Sequence, residues 1–261
     1  FMQYKKFEGS TYNIYTVKTD KFKSCIINVI FRDNIENPEI LANLSMLKSL
    51  MVDSSKNYPN RRELSIRCEE LYNASFFAAV HRLGNSYELN LGTEFINPEF
   101  VKEKDYLDDI IKFNFDMILN PNVNNDEFDL KSFNIVKNKL ITATKRVHES
   151  GPKYAIKRAF YNMDPDSLSS IYIEEADYEK ITPSSLYKAY NEIINKSICD
   201  VYVIGNMDME DVASKIKEIF NIKMVKNHEF ELYIKNKKRK KVKVVKETDE
   251  FLQANLVVGY N

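Results

Sequence analysis

The residues best able to hold a catalytic metal are few in this sequence and lie far apart. Catalytic zinc needs three protein ligands, usually His, Asp, Glu or Cys at helical or loop spacing. The sequence has three histidines, His81, His148 and His228, and contains neither an HExxH nor an HxxEH motif. His81 falls in a predicted strand, which favours an ordinary sheet residue, and charged residues lie close to the other two, which is typical of a surface. The local pattern therefore predicts no metal site.

Nucleophilic catalysis also finds little support. Ser45 and Lys48 match the SxxK start of serine acyltransferases, in which a lysine activates the hydroxyl, but the SDN and KTG elements of that chemistry are missing. The sequence also lacks a GxSxG elbow, a GxxxxGK[ST] phosphate loop and a GxGxxG turn. Cys25 and Cys199 fall in predicted strands without a basic neighbour that would lower the thiol pKa. We therefore expect no catalytic nucleophile and no nucleotide cofactor.

Composition excludes several classes of partner. Lysine plus arginine equals aspartate plus glutamate at 38 each, so no overall field favours nucleic acid or a membrane surface. No apolar run approaches the roughly 18 residues of a membrane span. The three cysteines, Cys25, Cys68 and Cys199, are widely separated and form no CxxC pair, which favours a reducing compartment. We expect a cytoplasmic protein with neither a nucleic-acid nor a membrane partner.

The elements that would position any site follow an α+β order. SCIINVIFR has the β-branched and apolar residues of a half-buried strand, Asn60 and Glu63 fit a capping box, and Gly84-Asn85 between two strand-like runs predicts a tight hairpin. The predicted strands are 12–17, 24–32, the hairpin arms on either side of 84–85, and 199–204. The predicted helices are 38–52, 60–71, 102–119, 126–163 with an interruption at Gly151-Pro152, 183–195 and 207–220. This order predicts a largely antiparallel sheet.

The C-terminal part of the sequence changes in character. KNKKRKKVKVVK, Lys235 to Lys246, is a run of charge without interleaved aromatic residues, which favours a solvated linker over a phosphate-binding strip. FLQANLVVGYN then opens a new alternating pattern. We predict a first domain at 1–225, a basic linker at 226–250 and, at 251–261, the first strand of a truncated second domain.

Several segments together resemble the N-terminal half-domain of the M16 (pitrilysin, insulinase-like) peptidases. They are the helix ending in KNYPN, the helix ending in CEELYNASF, the Gly-Asn hairpin, KSFNIVKNKLITATKR, PKYAIKRAFYNM and YVIGNMDME, of which the last is the most specific. The resemblance covers nearly the whole sequence. It implies a LuxS/M16-peptidase-like half-domain, with a mostly antiparallel sheet and helices packed on one face.

The resemblance also implies where the chemistry has been lost. Zinc-bearing members carry HxxEH on the first helix, with two histidine ligands and a glutamate base, and a third ligand, a glutamate, on a later helix. Counted back from Tyr58-Pro59, this pentad falls on Ser45-Met46-Leu47-Lys48-Ser49, and the third ligand matches approximately Lys139. Hydroxyl and ammonium groups are poor zinc ligands. The resemblance therefore implies a degenerate peptidase homologue with no catalytic residue, metal or cofactor.

Helical geometry places Ser45 and Ser49 about 40° apart, away from the apolar arc of their helix. We therefore expect this helix to be kept for packing, with both serines still facing a cleft.

What the resemblance implies about function is a non-catalytic subunit. Inactive M16 members commonly pair with an active zinc-bearing partner and help to enclose a peptide. The degenerate pentad most resembles that of the inactive member of bacterial two-subunit pairs linked to elongation factor P modification. The expected partners are an active M16 subunit in a heterodimer, or a second copy by self-association, with an extended peptide as ligand. A structural subunit of a larger complex without a peptide substrate is the alternative, and an enzyme using unrelated residues stays open.

Overall fold

The computed structural model describes residues 4–9, 11–163, 165, 168–222 and 241–259. The strands are β1 (Lys5–Glu8), β2 (Asn13–Lys18), β3 (Ser24–Asn34), β4 (Ser75–Leu83), β5 (Ser86–Ile96), β6 (Val123–Asn124), β7 (Glu127–Phe128) and β8 (Ile198–Gly205). The helices are α1 (Glu39–Met51), α2 (Arg61–Glu70), α3 (Tyr106–Leu119), α4 (Leu130–His148), α5 (Gly151–Met163), α6 (Glu175–Glu179), α7 (Pro183–Lys196) and α8 (Met209–Ile219).

A six-stranded sheet organises the chain in the order β1-β2-β8-β3-β5-β4, and β6 and β7 form a separate two-stranded ribbon. Every neighbouring pair of the large sheet is antiparallel except β2 and β8. The mostly antiparallel α+β architecture predicted from the sequence is therefore confirmed.

Successive side chains of a strand point to opposite faces of the sheet. On one face of this sheet they are apolar and form the core. In β3, Ile27, Val29 and Phe31 are completely buried, and Val29 lies opposite Leu91 of β5 and Val201 of β8. Helices α1, α3 and α8 pack on this sheet. The core lies between the sheet and these helices.

The other face carries a polar network instead. Arg32 of β3 pairs with Glu88 of β5 through Nε and Oε1 at 2.5 Å, and with Asp200 of β8 through Nη1 and Oδ2 at 2.9 Å. The side chains of all three residues are less than one-fifth exposed. Because charge-assisted hydrogen bonds are stronger than neutral ones, this arginine ties three strands together.

Local signals placed the hairpin and one helix start correctly. Gly84 has φ +60° in the turn between β4 and β5, a conformation that glycine adopts at little cost. Asn60 accepts a hydrogen bond from the backbone N–H of Glu63 at 3.0 Å, and its own side-chain amide donates to that glutamate at 2.7 Å. The second bond replaces the backbone contact of a standard capping box.

Two predicted boundaries were wrong. The helix predicted from 126 begins at Leu130, because Asn125 and Asp126 adopt positive φ and turn the chain between β6 and β7. The helix predicted from 102 begins at Tyr106. Sequence patterns also missed β1 and α6, which are too short to show a period.

The predicted linker and second-domain strand lie partly outside the described residues, which omit 223–240 and 260–261. Residues 241–259 contact α5. Arg158 Nη2 pairs with Glu247 Oε1 at 2.6 Å, and the ring centroids of Tyr154 and Phe251 are 6.4 Å apart. No strand is assigned within the described part of 251–261, so the three-part division of the chain stays a prediction. Among the described residues no helix is long and apolar enough to cross a bilayer.

Candidate functional site

Helix α1 carries the degenerate pentad and is buried on most of its surface. It packs on β4 and is covered by α4, α6 and α7. Met46 and Leu47, the second and third residues of the pentad, are completely buried, whereas Ser45, Lys48 and Ser49 are half-buried. The apolar positions hold the helix in the core, and the three polar positions of the pentad lie at its accessible margin.

The two serines are satisfied within the protein. Ser49 Oγ donates to the backbone carbonyl of Ser45 at 3.1 Å, one helical turn earlier. The Tyr178 hydroxyl donates to Ser45 Oγ, also at 3.1 Å. Tyr178 belongs to α6 and is 4% exposed, and burial raises the pKa of its hydroxyl. A protonated phenol therefore lies against the first position of the pentad.

Lys139, the position matched to the third ligand, lies on the helix that packs against α1. It is exposed on α4, whose buried residues are Phe133 and Val136. Lys137 lies about 200° around the same helix, and its Nζ donates to the backbone carbonyls of Glu179 and Ile181 at 2.9 Å each. The equivalence of Lys139 to a third ligand stays a prediction, whereas Lys137 binds backbone carbonyls of the α6 segment.

Among the described residues, the histidines do not lie together in a catalytic or metal-binding group. His81 is exposed on β4 opposite Glu88, as expected of a sheet residue. His148 is exposed, 3.3 Å from Glu174 and 3.2 Å from Lys157, and His228 lies outside the described residues. In the part of the chain that the structure describes, no three His, Cys, Asp or Glu side chains could hold a metal ion.

The cysteines are all free thiols. Cys25 and Cys199 are buried in strands and Cys68 is half-buried on α2. Burial raises the pKa of each thiol, most strongly at Cys199. None is therefore activated as a nucleophile, since the thiolate is the reactive form.

An edge strand lies beside the pentad. β4 ends the six-stranded sheet, and among the described residues its strand pairing is with β5 alone. An edge strand presents unpaired backbone N–H and C=O groups, on which another extended chain can add. Helix α1, which carries the pentad, packs on this edge strand.

No family model matches the chain. Among curated proteins, it is 23% identical over 255 residues to the probable inactive metalloprotease YmfF of Bacillus subtilis, an alignment covering 94% of this chain and 58% of that protein.

Solved structures share the fold. A conserved protein from Enterococcus faecalis matches with a TM-score of 0.78 and 24% identity, over 86% of this chain and 53% of its own. An M16 peptidase inactive domain from Pseudomonas fluorescens matches with a TM-score of 0.66 and 11% identity, over 84% of this chain and 50% of its own.

The chain thus spans about half the length of the relatives it matches. Its fold is that of an M16-peptidase-like domain, and it is a homologue of proteins named as inactive. The resemblance that the sequence suggested is confirmed at this level. The narrower link to elongation factor P modification stays a prediction.

Proposed function

We propose that this M16-like homologue is a non-catalytic subunit that pairs with an active, zinc-bearing M16 partner and helps to enclose an extended peptide. The pentad at Ser45, Lys48 and Ser49 carries the proposal. Its hydroxyls are bonded within the protein, and its lysine presents an ammonium where the active enzymes carry a carboxylate base. Such a chain contributes binding surface rather than chemistry.

The free edge of β4 supports a role in peptide binding. Peptides commonly bind by adding a strand to a sheet edge, where main-chain hydrogen bonds supply affinity and side-chain contacts supply selectivity. Leu83 and Ser86 flank a two-residue turn, so they exchange both backbone hydrogen bonds, and such pairs alternate along an antiparallel ladder. Ala78 and Val80 then direct their backbone groups away from β5, toward an incoming strand.

The curated relative supports the absence of catalysis. YmfF is named as a probable inactive metalloprotease. Because this chain spans only part of that protein, the partner and the peptide belong to the proposal. A reducing, cytoplasmic setting is part of it as well, since all three cysteines are free.

Isolation of the complex tests the pairing. The full-length protein, tagged in its native host, should co-purify with a protein that bears an HxxEH motif, at near-equal amounts. Recovery of the protein with copies of itself alone, or within a membrane complex that lacks an HxxEH protein, would overturn the pairing.

Metal analysis tests the loss of chemistry separately. The isolated chain should bind zinc no better than a variant with Lys48→Ala, because hydroxyls are poor zinc ligands and an ammonium repels the ion. About one tightly held zinc per chain that is lost on Ser45→Ala would contradict the assignment.

A further inference from the structure

The segment 171–181, here called the lid, contacts the pentad at Ser45. It contains α6 and delivers Tyr178 to Ser45. Tyr178 and Ile181 are its buried side chains, at 4% and 7% exposure. Most of its other residues are half-buried or exposed. Ile171 and Ile173 also pack against the core, partly buried, so four apolar side chains anchor the lid.

Acidic residues of the lid pair with cations on the two neighbouring helices. Glu174 forms an ion pair with Lys157 of α5 and lies 3.3 Å from His148 of α4. Glu175 pairs with Lys145 of α4, also at 3.3 Å. These contacts hold the N-terminal end of α6 against α4 and α5.

Cationic side chains of other elements also contact backbone carbonyls of the lid and one of its aromatic rings. Lys137 bonds the carbonyls of Glu179 and Ile181, and Arg82 of β4 donates to the carbonyl of Ile171 at 2.8 Å. Lys157 lies 5.5 Å from the centroid of the Tyr172 ring. Each of these contacts is made by a cationic side chain that lies outside the lid.

We propose that the lid is an electrostatic latch that covers Ser45 of the pentad and opens while the rest of the domain stays folded. Partly exposed ion pairs contribute little individually and are weakened by salt. Segments with few buried apolar contacts open at lower free energy than the global transition. Opening would uncover Ser45 at the margin of α1, next to the β4 edge.

Opening of the latch requires no partner subunit. A test that refutes the latch would therefore leave the proposed pairing unaffected, and the reverse holds as well. Any anionic group that competes for Lys145 and Lys157 would favour the open state, because the lid would lose its counter-charges. A peptide that binds along β4 could then reach α1.

A thiol reporter tests the latch. Ser45→Cys is introduced in a Cys68→Ser background, and its reaction with a neutral maleimide is timed. The buried Cys25 and Cys199 remain and report global unfolding in the same sample. The latch variant is Lys145→Gln with Lys157→Gln. The matched control is Lys131→Gln with Lys153→Gln, which removes one exposed cation from α4 and one from α5, neither of which makes an ion pair among the described residues.

We expect the latch variant to react about tenfold faster at position 45 and the control at the original rate. Raising the salt should accelerate the reporter in the unaltered latch and much less in the latch variant. The reactions of Cys25 and Cys199 should stay slow throughout, and amide hydrogen exchange should increase over 171–181 only.

Equal reporter rates in the latch and control variants would overturn the proposal. So would an acceleration at position 45 that is matched at Cys25 and Cys199, because the event would then be global unfolding.

Discussion

The free edge of β4 allows the peptide-binding proposal to be tested with two neighbouring alanines. Alternation from the turn directs the backbone N–H of Ala79 toward Asn90 of β5, and that of Ala78 away from the sheet. Proline removes the N–H and adds ring atoms where it pointed. Ala78→Pro should therefore damage the outer edge, whereas Ala79→Pro should damage the hairpin itself.

The expected magnitudes differ in kind. Ala78→Pro deletes a hydrogen bond to the peptide of about 1 kcal/mol and places the ring in the path of the added strand, so we expect affinity to fall at least about tenfold. Its effect on folding should be small, because an edge strand tolerates proline when the N–H faces outward. Ala79→Pro leaves a ladder carbonyl without its donor and should lower the free energy of unfolding by about 1–3 kcal/mol.

The assay measures fluorescence anisotropy of labelled extended peptides against the purified complex of the chain with its partner. Urea unfolding of each variant is followed in parallel. Ala78→Ser serves as the control, since it retains the N–H and changes only the side chain. It should bind the peptide like the original protein.

Unchanged peptide affinity in a folded Ala78→Pro complex would refute peptide addition at β4. Equal losses of stability in the Ala78→Pro and Ala79→Pro variants would refute the deduced alternation of hydrogen bonds.

Three further outcomes follow from the structure. Gly205→Ala should lower the free energy of unfolding by more than about 2 kcal/mol in urea titrations, because Gly205 has φ +152° and an added Cβ would collide with the Cys25 side chain; an unchanged midpoint would contradict this contact. A double-mutant cycle of Ser45→Ala and Tyr178→Phe should give a coupling of about 1 kcal/mol, whereas additive effects would show that the 3.1 Å bond contributes nothing. Burial raises the pKa of Tyr106 from 10.0 to about 12, so its contribution to stability is present below pH 10 and is lost as the pH rises toward 12, by about 1.4 kcal/mol for each pH unit in that window; urea titrations at pH 9 and 11.5 would reveal it, and Tyr106→Phe should reduce the loss.

The sequence predicted those parts of the fold that are determined by neighbouring residues. The alternation in SCIINVIFR identifies β3 because every second side chain must enter the core. Gly84-Asn85 and Asn60 each satisfy a local backbone requirement, a positive φ and an open helix N-terminus, which few other residues meet. These signals hold whatever the rest of the chain does.

The contacts that define the candidate site have no such local signal. Ser45 and Tyr178 are 133 residues apart, and α6 has only five residues. The parallel pairing of β2 with β8 joins an early strand to the last strand of the described sheet in sequence, and no turn residue specifies it. Lys137 could not be told from Lys139 by sequence, because only the position of the α6 carbonyls decides which of them is bound.

These non-local contacts predict that restoring an HxxEH motif at positions 45–49 would not by itself create a metal site. Ser45→His, Lys48→Glu and Ser49→His would restore the side-chain types, yet the imidazole at position 45 would meet the buried Tyr178 ring rather than an open cleft. Lys137 would still place an ammonium on the lid that holds that ring, and position 139 would still point to solvent. The contacts that oppose metal binding at these positions therefore lie on α4 and α6 as well as on α1.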